Sequence, residues 1–157
     1  MDQAQEQEDR EDRECGMEVV YIRAVKLGQK VRCSWWFRDK DPRNKAVVLP
    51  GKPQTANRGL LFALREVLKK FRKTAHAQHY DDRLPLLFVR TDATYIQEGM
   101  DTYIYTWRRN EWCNKRGRKI ANHVFWQSVN NEMQTLEELG TSLRVQRGKL
   151  PRKCLSV

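Results

Sequence analysis

Long apolar runs are missing from this sequence. No stretch reaches the roughly 18 apolar residues that a membrane-spanning helix needs, so no membrane association is expected. The first residues lack the apolar segment of a secretory signal, and their acidity argues against a mitochondrial transit peptide. Cysteine is scarce. Cys15, Cys33, Cys113 and Cys154 form no C-x-x-C pair, so a zinc site would have to be assembled from distant positions. His76, His79 and His123 lack ligand spacing and read as surface residues. No internal repeat is visible. These absences predict an intracellular protein with reduced thiols.

Basic charge is what the sequence has in excess. Its 30 Lys and Arg outnumber 20 Asp and Glu, for a net charge of +10 over 157 residues. That length suits one domain with its own core. The charge is unevenly placed. Residues 1–14 hold seven acids (Asp2, Glu6, Glu8, Asp9, Glu11, Asp12 and Glu14) against Arg10 and Arg13, a net of −5, so the rest carries +15. A compact domain with that surplus attracts polyanions. The bland alternative is solvated cations that only keep the protein soluble.

Residues 1–16 are polar and without periodicity, and are expected to be a disordered acidic tail. An ordered domain is expected over 17–148, then a basic irregular tail over 149–157. Val19, Val20, Tyr21 and Ile22 read as a buried strand, with a turn at Gly28. Val31, Cys33, Trp35 and Phe37 recur with a period of two. Asp39 to Asn44 is a turn, and Ala46 to Leu49 a third strand stopped by Pro50-Gly51. Leu60, Leu61, Leu64, Val67, Leu68 and Phe71 then recur at helical steps, behind Gln54 or Thr55 as a cap. Gly59 counts as a local weakness in that helix. Residues 74–84 read as a loop. Leu86 to Arg90 is a strand apolar on both faces, as in the centre of a covered sheet. Short helices follow through Ile96 and Met100 and around Tyr103 to Trp107. Val124, Phe125, Val129, Met133 and Leu136 mark a last amphipathic helix, and Ser142 to Arg147 a fifth strand. The order predicts an α/β fold.

Four segments together resemble the cellular (type I) ribonuclease H family. Val19-Val20-Tyr21 resembles its opening strand. Gly51-Lys52-Pro53-Gln54-Thr55-Ala56-Asn57-Arg58 resembles the Gly-Arg-Gln-Thr-Asn-Gln-Arg segment before its first helix, with one residue inserted. Thr91-Asp92 resembles its Thr-Asp-Ser. Trp107-Arg108-Arg109-Asn110-Glu111-Trp112, then Gly117-Arg118-Lys119 and Asn122, match its Trp-Lys-Lys-Asn-Gly-Trp, Gly-Lys and Asn without a gap from Asp92 onward. The resemblance implies a mixed five-stranded sheet, with an antiparallel meander of the first three strands and then parallel strands, flanked by helices.

The family's chemistry needs several carboxylates around two divalent ions, one to activate water and one to stabilise the leaving oxygen. By the same resemblance, Arg23 stands where the first-strand aspartate is needed and Leu60 where the first-helix glutamate is needed. Only Asp92 is kept, and no acid follows Glu138. The family's C-terminal helix is missing from the pattern, which exposes one flank of the sheet to a protein partner or a second copy. The expectation is a ribonuclease H-like pseudoenzyme with no catalytic residue, no metal and no cofactor. Arg23 and Asp92 are expected to form an ion pair.

Contacts that need no metal are expected to persist. Lys52, Thr55 and Asn122 resemble the family's pocket for a DNA-strand phosphate. Tyr95 and Tyr103 resemble its aromatic channel, and Asn57 half of its pair for RNA 2′-hydroxyls. Arg108, Arg109, Lys115, Arg116, Arg118 and Lys119 form a basic protrusion suited to phosphates. Trp107 and Trp112 read as packing, and Thr55 reads equally as a helix cap. Three functions compete. One is a nucleic-acid binder of RNA–DNA hybrids or duplexes, placed in the nucleus rather than the cytoplasm. The others are a protein-interaction module and a hybrid nuclease whose acids come from a partner.

Overall fold

The computed structural model describes residues 3–14, 16–77 and 86–155. In chain order the elements are α1 (Gln3–Glu14), β1 (Met17–Leu27), β2 (Lys30–Trp36), β3 (Lys45–Val48), α2 (Ala56–Ala77), β4 (Leu86–Thr91), α3 (Thr94–Glu98), a π-helical turn (Gly99–Tyr103), α4 (Ile104–Arg109), α5 (His123–Glu138), β5 (Ser142–Arg147) and α6 (Arg152–Leu155). One five-stranded sheet runs β3-β2-β1-β4-β5. β1 pairs antiparallel with β2 and parallel with β4, which pairs parallel with β5. This is the mixed sheet that the sequence pattern predicts.

Strand alternation decides where the core lies. Val20, Ile22, Val31, Cys33, Trp35, Leu87 and Val89 point to one face, where they are buried with Leu61, Leu64 and Leu68 of α2 and Trp126 and Val129 of α5. Two glycines allow close approach on this side. A Cβ at Gly59 would lie 2.7 Å from the Val31 side chain and 3.0 Å from that of Ala24, so glycine there is a requirement of helix–sheet packing and not the weakness that propensity suggests. A Cβ at Gly99 would lie 2.2 Å from the Trp126 ring. The segment after β4 turns continuously from α3 through the π turn into α4, which seats Met100 and Ile104 in the core.

The other face differs from expectation. Residues 3–14 are not a disordered tail. They form α1, which lies against β1 and buries Asp9. The physical reason is ionic: Asp9 accepts the Tyr21 hydroxyl proton in a short hydrogen bond and pairs with Arg90 Nη1 at 3.1 Å. The chain end is likewise not wholly irregular. α6 buries Cys154 against Val19 and Tyr21, with Trp36, Phe88 and Leu150 around them. The sheet flank expected to lie open is therefore covered here by both chain ends. α2 runs to Ala77, into the segment read as a loop, and the rest of that segment, His79 included, lies outside the described residues.

Candidate nucleic-acid interface

The site grows from two helix starts that meet. Thr55 precedes α2, and its Oγ1 accepts the Arg58 backbone N–H at 3.3 Å, the capping role allowed for it. Asn122 precedes α5 in the left-handed region at φ 59°, which asparagine tolerates. Arg58 joins the two starts. Its guanidinium donates to the Pro50 carbonyl at 2.9 Å and lies 4.7 Å from the Phe125 ring centre. Lys52 and Asn57 stand exposed beside it. Sequence reasoning passed over Arg58 because nothing local links it to Phe125, 67 positions away; its place in the segment carrying the resemblance was the available signal.

Tyr95 sits half-buried beside them. Its hydroxyl accepts from Trp126 Nε1 at 2.9 Å and from Asn122 Nδ2 at 3.3 Å, so Asn122 is oriented by the core. Tyr103 is 49% exposed and stacks on Trp107 at 5.6 Å with 23° between planes. Trp107 in turn meets Trp126 at 5.1 Å. Trp107 and Trp112 are partly buried against the core, as packing residues should be.

The basic protrusion is a built loop. Asn114 Oδ1 accepts the backbone N–H of Arg116 at 2.9 Å and of Arg118 at 3.0 Å, and a bridge pairs Cys113 with Lys119. Lys119 Nζ donates to the Glu111 carbonyl at 2.8 Å. Arg109, Lys115, Arg116 and Arg118 are exposed. Arg108 is different. It is half-buried, its Nε makes a short hydrogen bond to Asn130 Oδ1, and its guanidinium lies 5.5 Å from the Tyr105 ring centre. It ties α4 to α5 and does not project with the others.

The family's metal position is the third part. Leu60 is 4% exposed within the apolar core, and its hydrocarbon side chain offers no oxygen to a metal. Arg23 is half-buried on β1, and Asp92 is exposed after β4. Cys154 lies between their fields. Burial pushes its thiol up to about 11, the Arg23 charge opposes that rise and the Asp92 charge adds to it. Among the described residues no three His, Cys, Asp or Glu side chains come together. A pair of hard divalent ions needs several oxygen donors, and these residues do not fit one.

The RNase H family pattern matches residues 23–139. The chain belongs to the RNase H family. Among curated ribonucleases H, that of Legionella pneumophila (strain Lens) is 32% identical over 82 residues, covering 52% of this chain and 50% of the relative. That of Rickettsia bellii (strain RML369-C) is 30% identical over 79 residues, covering 50% and 44%. The chain thus spans about half the length of the curated relatives it matches. Solved structures agree on the fold. The RNase H domain of PFV aligns with a TM-score of 0.53 at 16% identity, over 88% of this chain and 82% of that one. The foamy viral protease-reverse transcriptase in complex with RNA/DNA hybrid aligns at 0.57 and 12% identity, over 85% and 17%. The expectation that the chain is no enzyme is corrected by these findings, since the family and its curated relatives are named for ribonuclease H activity. Among the described residues no helix is long and apolar enough to cross a membrane.

Proposed function

We propose that this RNase H domain engages RNA–DNA hybrid duplexes. The observation that carries the reading is the hydrogen-bonded loop that holds Lys115, Arg116 and Arg118 out to solvent, beyond exposed Arg109 at the end of α4, on a chain of net charge +10. Phosphates neutralised by such cations release counterions, which makes affinity steeply salt-dependent. Lys52, Thr55 and Asn122, gathered at the starts of α2 and α5, are assigned to a strand phosphate. The first turn of a helix leaves backbone N–H groups that can meet an anion; here the Arg58 N–H is taken by Thr55 Oγ1 and the His123 N–H by the Ile120 carbonyl. Tyr103 is assigned to stacking on a sugar or base, while Tyr95 serves by holding Asn122. Lys119 adds charge at the root of the loop, and Asn57 is assigned to a 2′-hydroxyl. The foamy viral enzyme, solved with RNA/DNA hybrid and with dsDNA, supports a duplex as the ligand.

The test is a titration of labelled hybrid, duplex DNA, duplex RNA and single strands at about 50 and about 200 mM salt, with hydrolysis followed in the presence of Mg²⁺ or Mn²⁺. Hybrid affinity should fall roughly 10²–10³-fold between the two salts, as expected for about five phosphate contacts. Replacing Arg116 and Arg118 by Ala should lower the logarithmic salt slope by about two and weaken all duplexes alike. Binding that ignores both salt and these substitutions would remove the reading.

A further inference from the structure

Beside the pocket at the two helix starts, a pair of arginines crowds one aromatic ring. Arg58 and Arg65 stand seven residues apart on α2, so two helical turns bring their side chains to one face. The Arg58 guanidinium lies 4.7 Å and that of Arg65 4.9 Å from the centre of the Phe125 ring, so less than 10 Å separates them. Phe62 backs the pair. It meets Phe125 edge-on at 6.4 Å and lies 5.3 Å from the Arg65 guanidinium. Rings that hold the planar groups in place lower the entropy lost when they bind.

Neither arginine is used up by this packing. The Arg58 hydrogen bonds to the Pro50 and Pro53 carbonyls both use Nη1. A Cβ at Gly51 would lie 3.5 Å from Arg58 Nη2, which places that nitrogen next to the chain entering Lys52. Arg65 Nε is buried and has no hydrogen-bond partner among the described residues, while its side chain keeps 23% of its surface exposed. The carboxylate beside it, Glu66, stands 3.3 Å from Arg65 and is shared with Lys69 at 3.8 Å. Residues 52–73 hold seven Lys and Arg against that one acid. Like charges so near each other repel, and a bound anion relieves the repulsion. Farther along α2, Arg72 is taken by Glu132 of α5 at 2.8 Å. The uncompensated charge is thus gathered at the end of α2 beside the pocket.

We infer that Arg58 and Arg65 together clamp one backbone phosphate of the bound duplex, on the same strand as the phosphate assigned to Lys52, Thr55 and Asn122. The inference rests on the nucleic-acid reading above and gives it a second contact point. A guanidinium fork offers parallel N–H groups to phosphate oxygens, and two forks on one phosphate fix the position of the strand as well as its charge. Continuity argues for one strand. Asn122 and Phe125 lie three residues apart at the start of α5, and Lys52 and Arg58 flank Thr55 at the start of α2. A strand that leaves the pocket along these starts reaches the Phe125 ring next.

Labelled hybrid is titrated with the full chain and with its Arg58→Gln, Arg65→Gln and double variants at about 50 and about 200 mM salt. Each single variant should weaken binding about tenfold. The double variant should lose about thirtyfold, well under the product of the two, and its logarithmic salt slope should fall by about one, because one phosphate is shared. Arg65→Lys keeps the charge without the fork. It should hold the slope and lose about threefold in affinity, and it carries the test if Arg65→Gln folds poorly. Two further hybrids have uncharged methylphosphonate linkages in the DNA strand or in the RNA strand. The effects of Arg65→Gln and Lys52→Gln should vanish with the same one of them. Losses that multiply in full, a slope lowered by two, or effects abolished by opposite strands would overturn the clamp. So would a double variant of unchanged slope and affinity while Arg116→Ala with Arg118→Ala still weakens binding, a result that leaves the nucleic-acid reading standing. Absence of salt-dependent hybrid binding by the unaltered chain would overturn both.

Discussion

One face of the sheet is closed by α2 and α5 with hydrocarbon and aromatic rings. The other is closed by the two chain ends, with an ion pair at its centre. On the first face Ile22, Leu61, Leu64, Leu68 and Trp126 are fully buried, and every contact among them gains from leaving water. On the second, Tyr21 and Cys154 are as well buried, but Asp9 and Arg90 are buried with them, their side chains 4% and 6% exposed. Such a pair recovers its desolvation cost only while both partners and their hydrogen bonds are present. The first face therefore degrades by degrees, while the second is sensitive to the loss of a single charge.

The largest effect should come from the hydrocarbon face. Trp126→Ala removes a ring that meets Tyr95 and Trp107 and donates to the Tyr95 hydroxyl. The expected loss is about 3–5 kcal/mol in urea unfolding. Asn122 should loosen with it, so hybrid binding should weaken even where the variant remains folded.

Next is the ionic face. Asp9→Ala takes the carboxylate at 3.1 Å away from buried Arg90 and should cost about 3 kcal/mol. Glu8, 3.9 Å from Arg90 and largely exposed, recovers little of that. The double variant Asp9→Leu with Arg90→Leu should recover most of the stability, because an apolar pair of similar size needs no charge balance. A cost under about 0.5 kcal/mol for Asp9→Ala would show that α1 does not close this face, and the contrast between faces would go with it.

A third, smaller effect lies on neither face and serves as a control. Asp41 links β2 to β3, accepting from Arg43 at 2.8 and 2.9 Å, while the Arg43 guanidinium stacks 3.9 Å from the Phe37 ring centre. The hydrogen bonds from Arg43 hold the Asp41 carboxyl below the usual carboxylate range. A group depressed on folding stabilises the fold above its unfolded value and loses that contribution as pH falls through the folded value. Acidification below about pH 4 should therefore remove roughly 1–2 kcal/mol through Asp41, with Arg43 partly exposed to screening solvent. Asp41→Asn should flatten that acid limb and leave the consequences of Asp9→Ala unchanged.

What was legible in the sequence divides along the same line. Period-two strands and the stripe through Leu60, Leu64 and Val67 announced the hydrocarbon face, because burial leaves a repeating local pattern. The short motifs around Thr55, Asp92 and Asn122 announced the family. The ionic face left no pattern. Asp9 and Arg90 are 81 positions apart, and an acidic run with no apolar stripe reads as a tail until its partner is known. Arg108 was read with its neighbours as a phosphate contact for a related reason: composition does not say which of several adjacent cations turns inward to Asn130. Gly59 looked like a defect since propensity ignores the strands that come to lie beneath it.

The smallest perturbation is a chemical one, and it separates the faces without changing the sequence. Cys33 lies on the hydrocarbon face and Cys154 on the ionic one, both fully buried, and burial pushes both thiols up to about 11. At pH 8 each is almost wholly protonated in the folded state, and a protonated thiol does not attack an alkylating agent. Reaction must wait for exposure. Of the three cysteines among the described residues, Cys113 is only half-buried on the basic loop and should be modified first by iodoacetamide, as peptide mapping by mass would show. Cys154 sits on the four-residue helix α6, short enough to lift away at less than the global free energy. Cys33 is paired into the middle of β2, between β1 and β3, and requires global unfolding. The order Cys113, then Cys154, then Cys33 is thus expected, and Asp9→Ala should accelerate Cys154 through loss of α1 by a larger factor than Cys33. Equal rates for the two buried thiols would mean that both faces open in one cooperative step, and that the ionic closure is no weaker than the hydrocarbon one.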